Sequence, residues 1–333
     1  MNQPAELKKT ALYDIHVSLG ARLGPFGGWL MPIQYECILK EHQACRQKAT
    51  LFDTCHMGEF RVQGPGAVAF LHGLVTCDVA SLAVGQCRYG LLCSESGGVM
   101  DDLLVYRLGA QDFMIVVNAG TQDTDFEWFH SHAPAGTKLE NLSTRTSKID
   151  LQGPAAPKIM KKLAASSAAE LKYYHFMENR YGGKRVIVSR TGYTGEIGFE
   201  IYFEEDALAR QFWQDAMALG AVPAGLGARD TLRLEMGMPL YGHELGLDRN
   251  AADSGFAKAI ATGKNFIGAA AVRAGGSSRL VGIYIEGRSA ARQGDTIKDP
   301  AGADIGTVTS GSFSPSLGHA IAMGYIRKDA AAP

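Results

Sequence analysis

The chain has 333 residues, with 33 Lys and Arg against 34 Asp and Glu, a formal charge of −1. That length supports a sizeable core divided over two or three domains, and so even a charge balance argues against general nucleic-acid binding. No apolar run reaches the roughly 18 residues a helical membrane span needs. The opening MNQPAELKKTALYD also lacks the apolar segment of a secretory signal, so a cytoplasmic location is expected.

Taken in chain order, CILKEHQACRQKAT (37–50) spaces its apolar and small residues for a helix, and LFDTCHMGEFRVQG leads into extended chain ending at Gly64. GPGAVAFLHGLVT places Pro65 near a helix start, with Val68, Leu71, Leu74 and Val75 on one stripe. Three strands follow, CRYGLLCS, VMDDLLVYRL and DFMIVVNA, the first two joined by a tight ESGG turn. TQDTDFEWFHSHA predicts a helix, TSKIDLQG a strand, and PAAPKIMKKLA another helix. KRVIVSRTGYTGEIGFEIYFEE predicts strand, Gly-rich turn and strand, then DALARQFWQDAMALG and LGARDTLRLEMG predict helices. From residue 279 short strands and turns dominate, which reads as a small separate β-barrel joined by a bridge at 256–278. The fold class expected is α+β and multidomain, with antiparallel sheets, packed helices and that C-terminal barrel.

Six cysteines (Cys37, Cys45, Cys55, Cys77, Cys87, Cys93) form no CxxC pair, so reduced thiols are expected rather than a zinc site. Chemistry points elsewhere. Asp101 and Asp102 are neighbours in a strand, and neighbouring side chains face opposite ways. Both are surface acids, or Asp101 lies at the floor of a pocket, where it needs an arginine or a polar ligand. In RTGYTGEIGFEIYF (190–203), three glycines allow close approach of a ligand, Tyr193 offers a ring for stacking, and Glu200 sits between Phe199 and Ile201. The competing account is a surface hairpin with ordinary charges. Arg229 and Arg233 share a helix face at i,i+4, a repulsion that a carboxylate relieves. His56 beside Met57 is expected to be a satisfied buried imidazole. With no metal set, nucleophile elbow or phosphate loop, positioning and electrostatics are favoured over covalent catalysis.

The pieces LYDIHVSLGARLGPFGGWLMPIQY, LFDTCHMGEF, GGVMDDLLVYR, VVNAG, LQGPAA, RTGYTGEIGFE, GLGARDTLRLEMGMPLYGHEL and IGTVTSG with SPSLGHAIAMGY occur in one order over residues 12–325. In that order they resemble the glycine cleavage T-protein (aminomethyltransferase) family. The resemblance implies a cloverleaf around a central cavity: a folate-binding lobe from residues 1–50 and 145–255, a second lobe from 51–144, and the barrel at 279–333. It implies that Asp101 is the essential carboxylate beside the reactive ring of tetrahydrofolate. It carries folate contacts to Met57, Asn118, Tyr193, Glu200 and Arg229, with Arg292 a basic contact from the barrel. It further implies that a partner H-protein presents an aminomethyl group on its lipoyl arm, that tetrahydrofolate takes the one-carbon unit, and that ammonia leaves.

The chain departs from the family pattern in two places. After YGHEL it reads GLDRNAADSGFAKAIATGKNFIG, where relatives carry an acidic, Trp-containing stretch, and looser packing is expected there. The chain also ends soon after GYIRKDAAAP, where relatives continue with a further strand or two, so a shortened barrel is expected, either natural to the protein or because the sequence is incomplete. Two rivals share the cavity: a folate-dependent demethylase of a sulfonium or N-methyl substrate, and a non-catalytic folate-binding assembly protein. The second carries a cysteine in a KGCYTGQE-like segment, where this chain has Gly192 in RTGYTGE.

Overall fold

Strict alternation in SKIDLQ sends Ile149 and Leu151 to one side of a strand and Lys148, Asp150 and Gln152 to the other. That strand, Ser147–Gln152, lies inside a six-stranded sheet of the computed structural model, which describes residues 6–164, 166–287 and 289–330. The sheet runs in the order Phe176–Tyr181, Lys184–Ser189, Gly198–Phe203, Ser147–Gln152, Thr50–Asp53, Val222–Pro223. It belongs to the first of two units, Met1–Glu59 with Asn141–Leu232; the second is Phe60–Glu140 with Arg233–Pro333.

In the first unit the apolar face of the sheet packs under helices Ala156–Leu163 and Asp206–Ala218. Ile149, Leu151, Phe199, Ile201 and Phe203 meet Ile159, Met160, Phe212 and Trp213. Each large side chain so buried contributes roughly 1.5–3 kcal/mol. Phe52 faces the other way, against Cys45 of helix Ile38–Gln47 and Ala228 and Leu232 of helix Leu226–Glu235. A helix Tyr13–Ser18 and a hairpin Arg22–Phe26/Trp29–Gln34 precede these elements. His16 anchors that helix by a 2.8 Å contact with the buried Asp53, and Thr10 donates to the same carboxylate.

The second unit holds a five-stranded sheet in the order Cys87–Cys93, Val99–Gly109, Asp112–Val117, Gly58–Gln63, Lys138–Asn141. Helices Ala67–Leu74 and Gln122–His132 cover one face, where Leu71, Leu74 and Phe129 meet Leu92, Leu103, Val105, Ile115 and Val117. The expected ESGG turn closes the first hairpin, with Gly97 at φ 83°. The stretch after YGHEL is anchored in this unit. Val99 donates its N–H to the Gly246 and Arg249 carbonyls, and Ala251 is buried with Leu91, Cys93 and Val99.

The C-terminal part is a four-stranded antiparallel sheet in the order Ser278–Ile285, His319–Arg327, Asp304–Ser314, Thr296–Lys298. The last three residues of KDAAAP and the first five of the chain lie outside the described residues. No disulfide joins any of the six cysteines, as expected. Among the described residues no helix is long and apolar enough to cross a membrane, and no His, Cys, Asp and Glu group is placed to hold a metal.

Candidate active site

Two clusters of buried polar side chains stand out, one in each unit. In the first unit, cross-strand register sets Glu200 opposite Asp150 and Tyr202 opposite Lys148, so all four share one face of the sheet. Lys148 Nζ lies 2.9 Å from Asp150 Oδ1 and 2.8 Å from Glu200 Oε1. Arg229 Nη1 donates to Asp150 Oδ2 at 2.7 Å, and Thr54 donates to Asp150 Oδ1 at 2.8 Å. Thr191 donates to Glu200 Oε2 at 2.6 Å, with the Tyr202 hydroxyl at 3.3 Å. Met57 Sδ is 3.7 Å from Lys148 Nζ. The Arg229 guanidinium is 5.0 Å from the centre of the Tyr193 ring and 6.0 Å from that of Phe52.

Two cations therefore face two carboxylates in a place almost closed to water: Lys148 and Asp150 are 1 % and 0 % exposed. Burial works against the charge on Lys148, but Asp150 and Glu200 outweigh it and raise its pKa. Burial likewise opposes ionisation of Asp150, and Lys148 and Arg229 overcome it and lower its pKa. Glu59, also buried, hydrogen-bonds to neither cation and is pushed well above the carboxylate range, by burial first, against the pull of Lys148. Arg229 thus finds the carboxylate its helix pattern required, and Arg233 finds another, Glu244 at 2.9 Å.

Lys148 and Asp150 were not singled out from sequence, although their alternation with Ile149 and Leu151 was visible. A polar stripe on a strand ordinarily faces solvent; here it faces Glu200. Glu196, by contrast, lies outside the strand and pairs with Arg46 at 3.0 Å. His56 is buried, but its Nδ1 has no partner, so the expectation of a satisfied imidazole is corrected; burial pushes its pKa down to about 4.

Gln152 sits at the end of the same strand, with its amide donating to the Thr191 carbonyl at 3.2 Å and accepting from Thr194 at 3.1 Å. A Cβ on Gly192 would stand 2.2 Å from Gln152 Oε1, and one on Gly198 2.1 Å. Both glycines are empty because this amide fills their space, which leaves no room for a cysteine at 192. Gly192→Cys is expected to destabilise the protein by about 1–3 kcal/mol, the usual result of overpacking a filled core. Urea unfolding checks it; an unchanged midpoint would mean that Gln152 moves aside.

In the second unit, Leu92 pairs with Asp101 and Cys93 with Val99, leaving Met100 unpaired in a bulge. Past the bulge, regular alternation puts Asp101 on the face of Leu103 and Val105, the face that helix Gln122–His132 covers. Asp101 is fully buried and Asp102 half-buried, so the pair divides between faces as strand geometry requires. No arginine meets Asp101; its donor within the protein is Asn118. The backbone N–H of Asn118 donates to Asp101 Oδ2 at 2.9 Å, and its side-chain amide donates to Asp101 Oδ1 and Asp102 Oδ1, both at 2.8 Å. Tyr89 donates to Asp102 Oδ2 at 3.1 Å.

Burial, with Asp125 second, raises the Asp101 pKa well above its usual range. Burial and the neighbouring Asp101 carry Asp102 up to about 7. A carboxyl raised from 3.8 in the unfolded chain contributes stability that is present at acid pH and lost as pH climbs towards 7. For Asp101 the same burial favours the protonated carboxyl. Arg292, on the surface of the C-terminal sheet, contacts only the Gly311 carbonyl at 3.4 Å and, through its backbone, Asp295.

Comparison with known proteins adds a family frame. Residues 12–264 match the model of the GCVT N-terminal domain, and residues 279–333 that of the glycine cleavage T-protein C-terminal barrel domain. An aminomethyltransferase of Halothermothrix orenii is 45% identical over 336 residues, covering 98% of this chain and 94% of the relative. That of Desulforamulus reducens is 44% identical over 330 residues, covering 96% and 90%. Among solved structures, the glycine cleavage system aminomethyltransferase T from Bartonella henselae is similar at a TM-score of 0.89 and 36% identity, over 97% of this chain and 90% of that one.

Proposed function

The chain belongs to the glycine cleavage T-protein family and is a folate-dependent aminomethyltransferase, and from that premise we propose how its residues divide the reaction. Folate binding belongs to the lobe of residues 1–50 and 145–255. Glu200, paired with Lys148, accepts the N–H groups of the pterin; Tyr193 stacks on its ring; Arg229 and Met57 complete the contact. Asn118 serves by fixing Asp101, and Arg292 is a basic contact from the barrel at 279–333. Asp101 is the catalytic group.

The donor is an aminomethyl group on the lipoyl arm of a partner H-protein, and a cytoplasmic location goes with that partner. The carbon–nitrogen bond breaks with its electron pair on nitrogen, which takes a proton and leaves as ammonia. N5 and N10 of tetrahydrofolate each lose a proton as they bond to the one-carbon unit. The carbon–sulfur bond breaks, and the sulfur takes the second proton to leave the arm as a dithiol. The product is 5,10-methylenetetrahydrofolate. Asp101 orients N5 and moves the proton between N5 and the departing amine.

The observation that supports this assignment best is the Asp101 carboxyl itself: fully buried on the helix-covered face of its strand, gripped by two Asn118 donors, and raised by burial well above the usual carboxylate range. The test supplies tetrahydrofolate and aminomethyl-loaded H-protein and follows ammonia and 5,10-methylenetetrahydrofolate together. Equal amounts of both are expected. Folate binding with neither product would overturn the assigned donor.

A further inference from the structure

Helix Gln122–His132 begins with the acids Asp123 and Asp125 in its first turn. First-turn acids ordinarily lie in water and complement the helix dipole. Asp125 does not, for it is fully buried. Neither of its carboxyl oxygens meets a protein donor in good geometry; the nearby Thr121 hydroxyl is given to the Asn118 carbonyl at 3.2 Å. Asp125 does lie close enough to Asp101 for each carboxyl to act on the other's ionisation. Two carboxylates cannot hydrogen-bond each other when both are ionised, and a buried anion without donors is costly. One proton between them removes both difficulties.

We propose that Asp125 is a positioning residue of the transfer reaction, sharing a single proton with Asp101 so that the catalytic carboxyl stays poised both to give and to take one. This rests on the assignment of Asp101 above. When the carbon–nitrogen bond of the donor breaks, the pair gives its proton to the departing amine. It recovers one from N5 as that nitrogen bonds to the one-carbon unit, so the pair ends as it began.

Asp102, on the same strand as Asp101, adds to burial in raising the Asp125 pKa, and Tyr241, from the segment before the connecting stretch, is itself raised by burial and then by both carboxyls. Asp102 thus favours retention of the shared proton, while the Asn118 donors work the other way on Asp101. In support, burial raises the Asp125 pKa to about 7. The proton is held at acid and neutral pH and lost as pH rises, so activity that depends on it falls on the alkaline side.

The test begins without substrate, by carbon-13 NMR of aspartate-labelled protein titrated from about pH 4 to pH 9, with Asp102→Asn used to assign the third carboxyl. In the unchanged protein the Asp101 and Asp125 carboxyls should titrate as a coupled pair, with the upper step near neutrality. In Asp125→Asn, the Asp101 carboxyl should titrate alone, with its midpoint at least about one pH unit lower. Asp125→Ser, which is smaller and also uncharged, should do the same and guards against a packing artefact of the amide. An Asp101 midpoint unchanged in both variants would overturn the proposal.

Kinetics then separates this role from the assigned function. The alkaline limb of kcat should move to lower pH in Asp125→Asn by a similar amount, with KM for tetrahydrofolate within about twofold. A wild-type protein that makes product, paired with a variant whose pH profile is unmoved, would defeat the role of Asp125 alone. A wild-type protein that makes no product from H-protein, although the NMR shift is present, would defeat the function and with it the role.

Discussion

Asp101→Asn is expected to lower turnover by about 10²–10⁴-fold while leaving the dissociation constant for tetrahydrofolate within about threefold. The size follows from what the substitution removes. An amide keeps the shape and its oxygen still accepts from one of the two Asn118 donors, so the local fold is expected to hold. It cannot carry a proton between two nitrogens. The Asp101 carboxyl is buried and raised well above the usual range, so the lost group is one that favours holding a proton. Single-turnover rates, with folate binding followed separately, check the expectation. A variant with near-normal transfer would remove Asp101 from its catalytic place.

Lys148→Met is expected to lower stability by about 3–5 kcal/mol, the range for breaking a buried ion pair from one side. The volume is nearly kept, so the loss is electrostatic. Asp150 retains Arg229 and Thr54, but Glu200 loses its ammonium partner while keeping the hydroxyls of Thr191 and Tyr202. The loss of that counter-ion weakens its hold on a pterin N–H. Adding Glu200→Gln to Lys148→Met should restore part of the stability, since it removes a buried charge whose counter-ion is gone. Urea unfolding of the two variants and the double variant decides this. A loss below about 1 kcal/mol for Lys148→Met would mean that water reaches the cluster and screens it.

Sequence alone reached the fold where one periodicity ruled a segment. Helix Asp206–Ala218 and the strands Cys87–Cys93, Val99–Gly109 and Asp112–Val117 lie where their patterns predict them. The strand Phe176–Tyr181 escaped notice because its text, FMENRY, is polar in the middle and only its end residues are buried. The hairpin Arg22–Phe26/Trp29–Gln34 escaped because Gly and Pro interrupt its alternation.

The candidate site was legible through residues that are odd for their neighbourhood: Asp101 in an apolar strand, Glu200 between Phe199 and Ile201. Lys148, Asp150 and Asp125 were not, because each fits an ordinary local pattern. A polar stripe on a strand and an acid in the first turn of a helix both normally face water. Only strand register and helix packing, which are tertiary facts, turn those side chains inward.

The measurement that bears most directly on the division of labour is single-turnover transfer over a series of tetrahydrofolate concentrations, made on Asp101→Asn and Glu200→Gln alongside the unchanged protein. One experiment yields both the folate affinity and the rate at saturation. Asp101→Asn should lose rate and keep affinity. Glu200→Gln should lose affinity by roughly 10–100-fold, the worth of a charge-assisted hydrogen bond, and keep most of its saturated rate. The same loss pattern in both variants would contradict the account, since binding and chemistry would then not be divided between these two carboxylates.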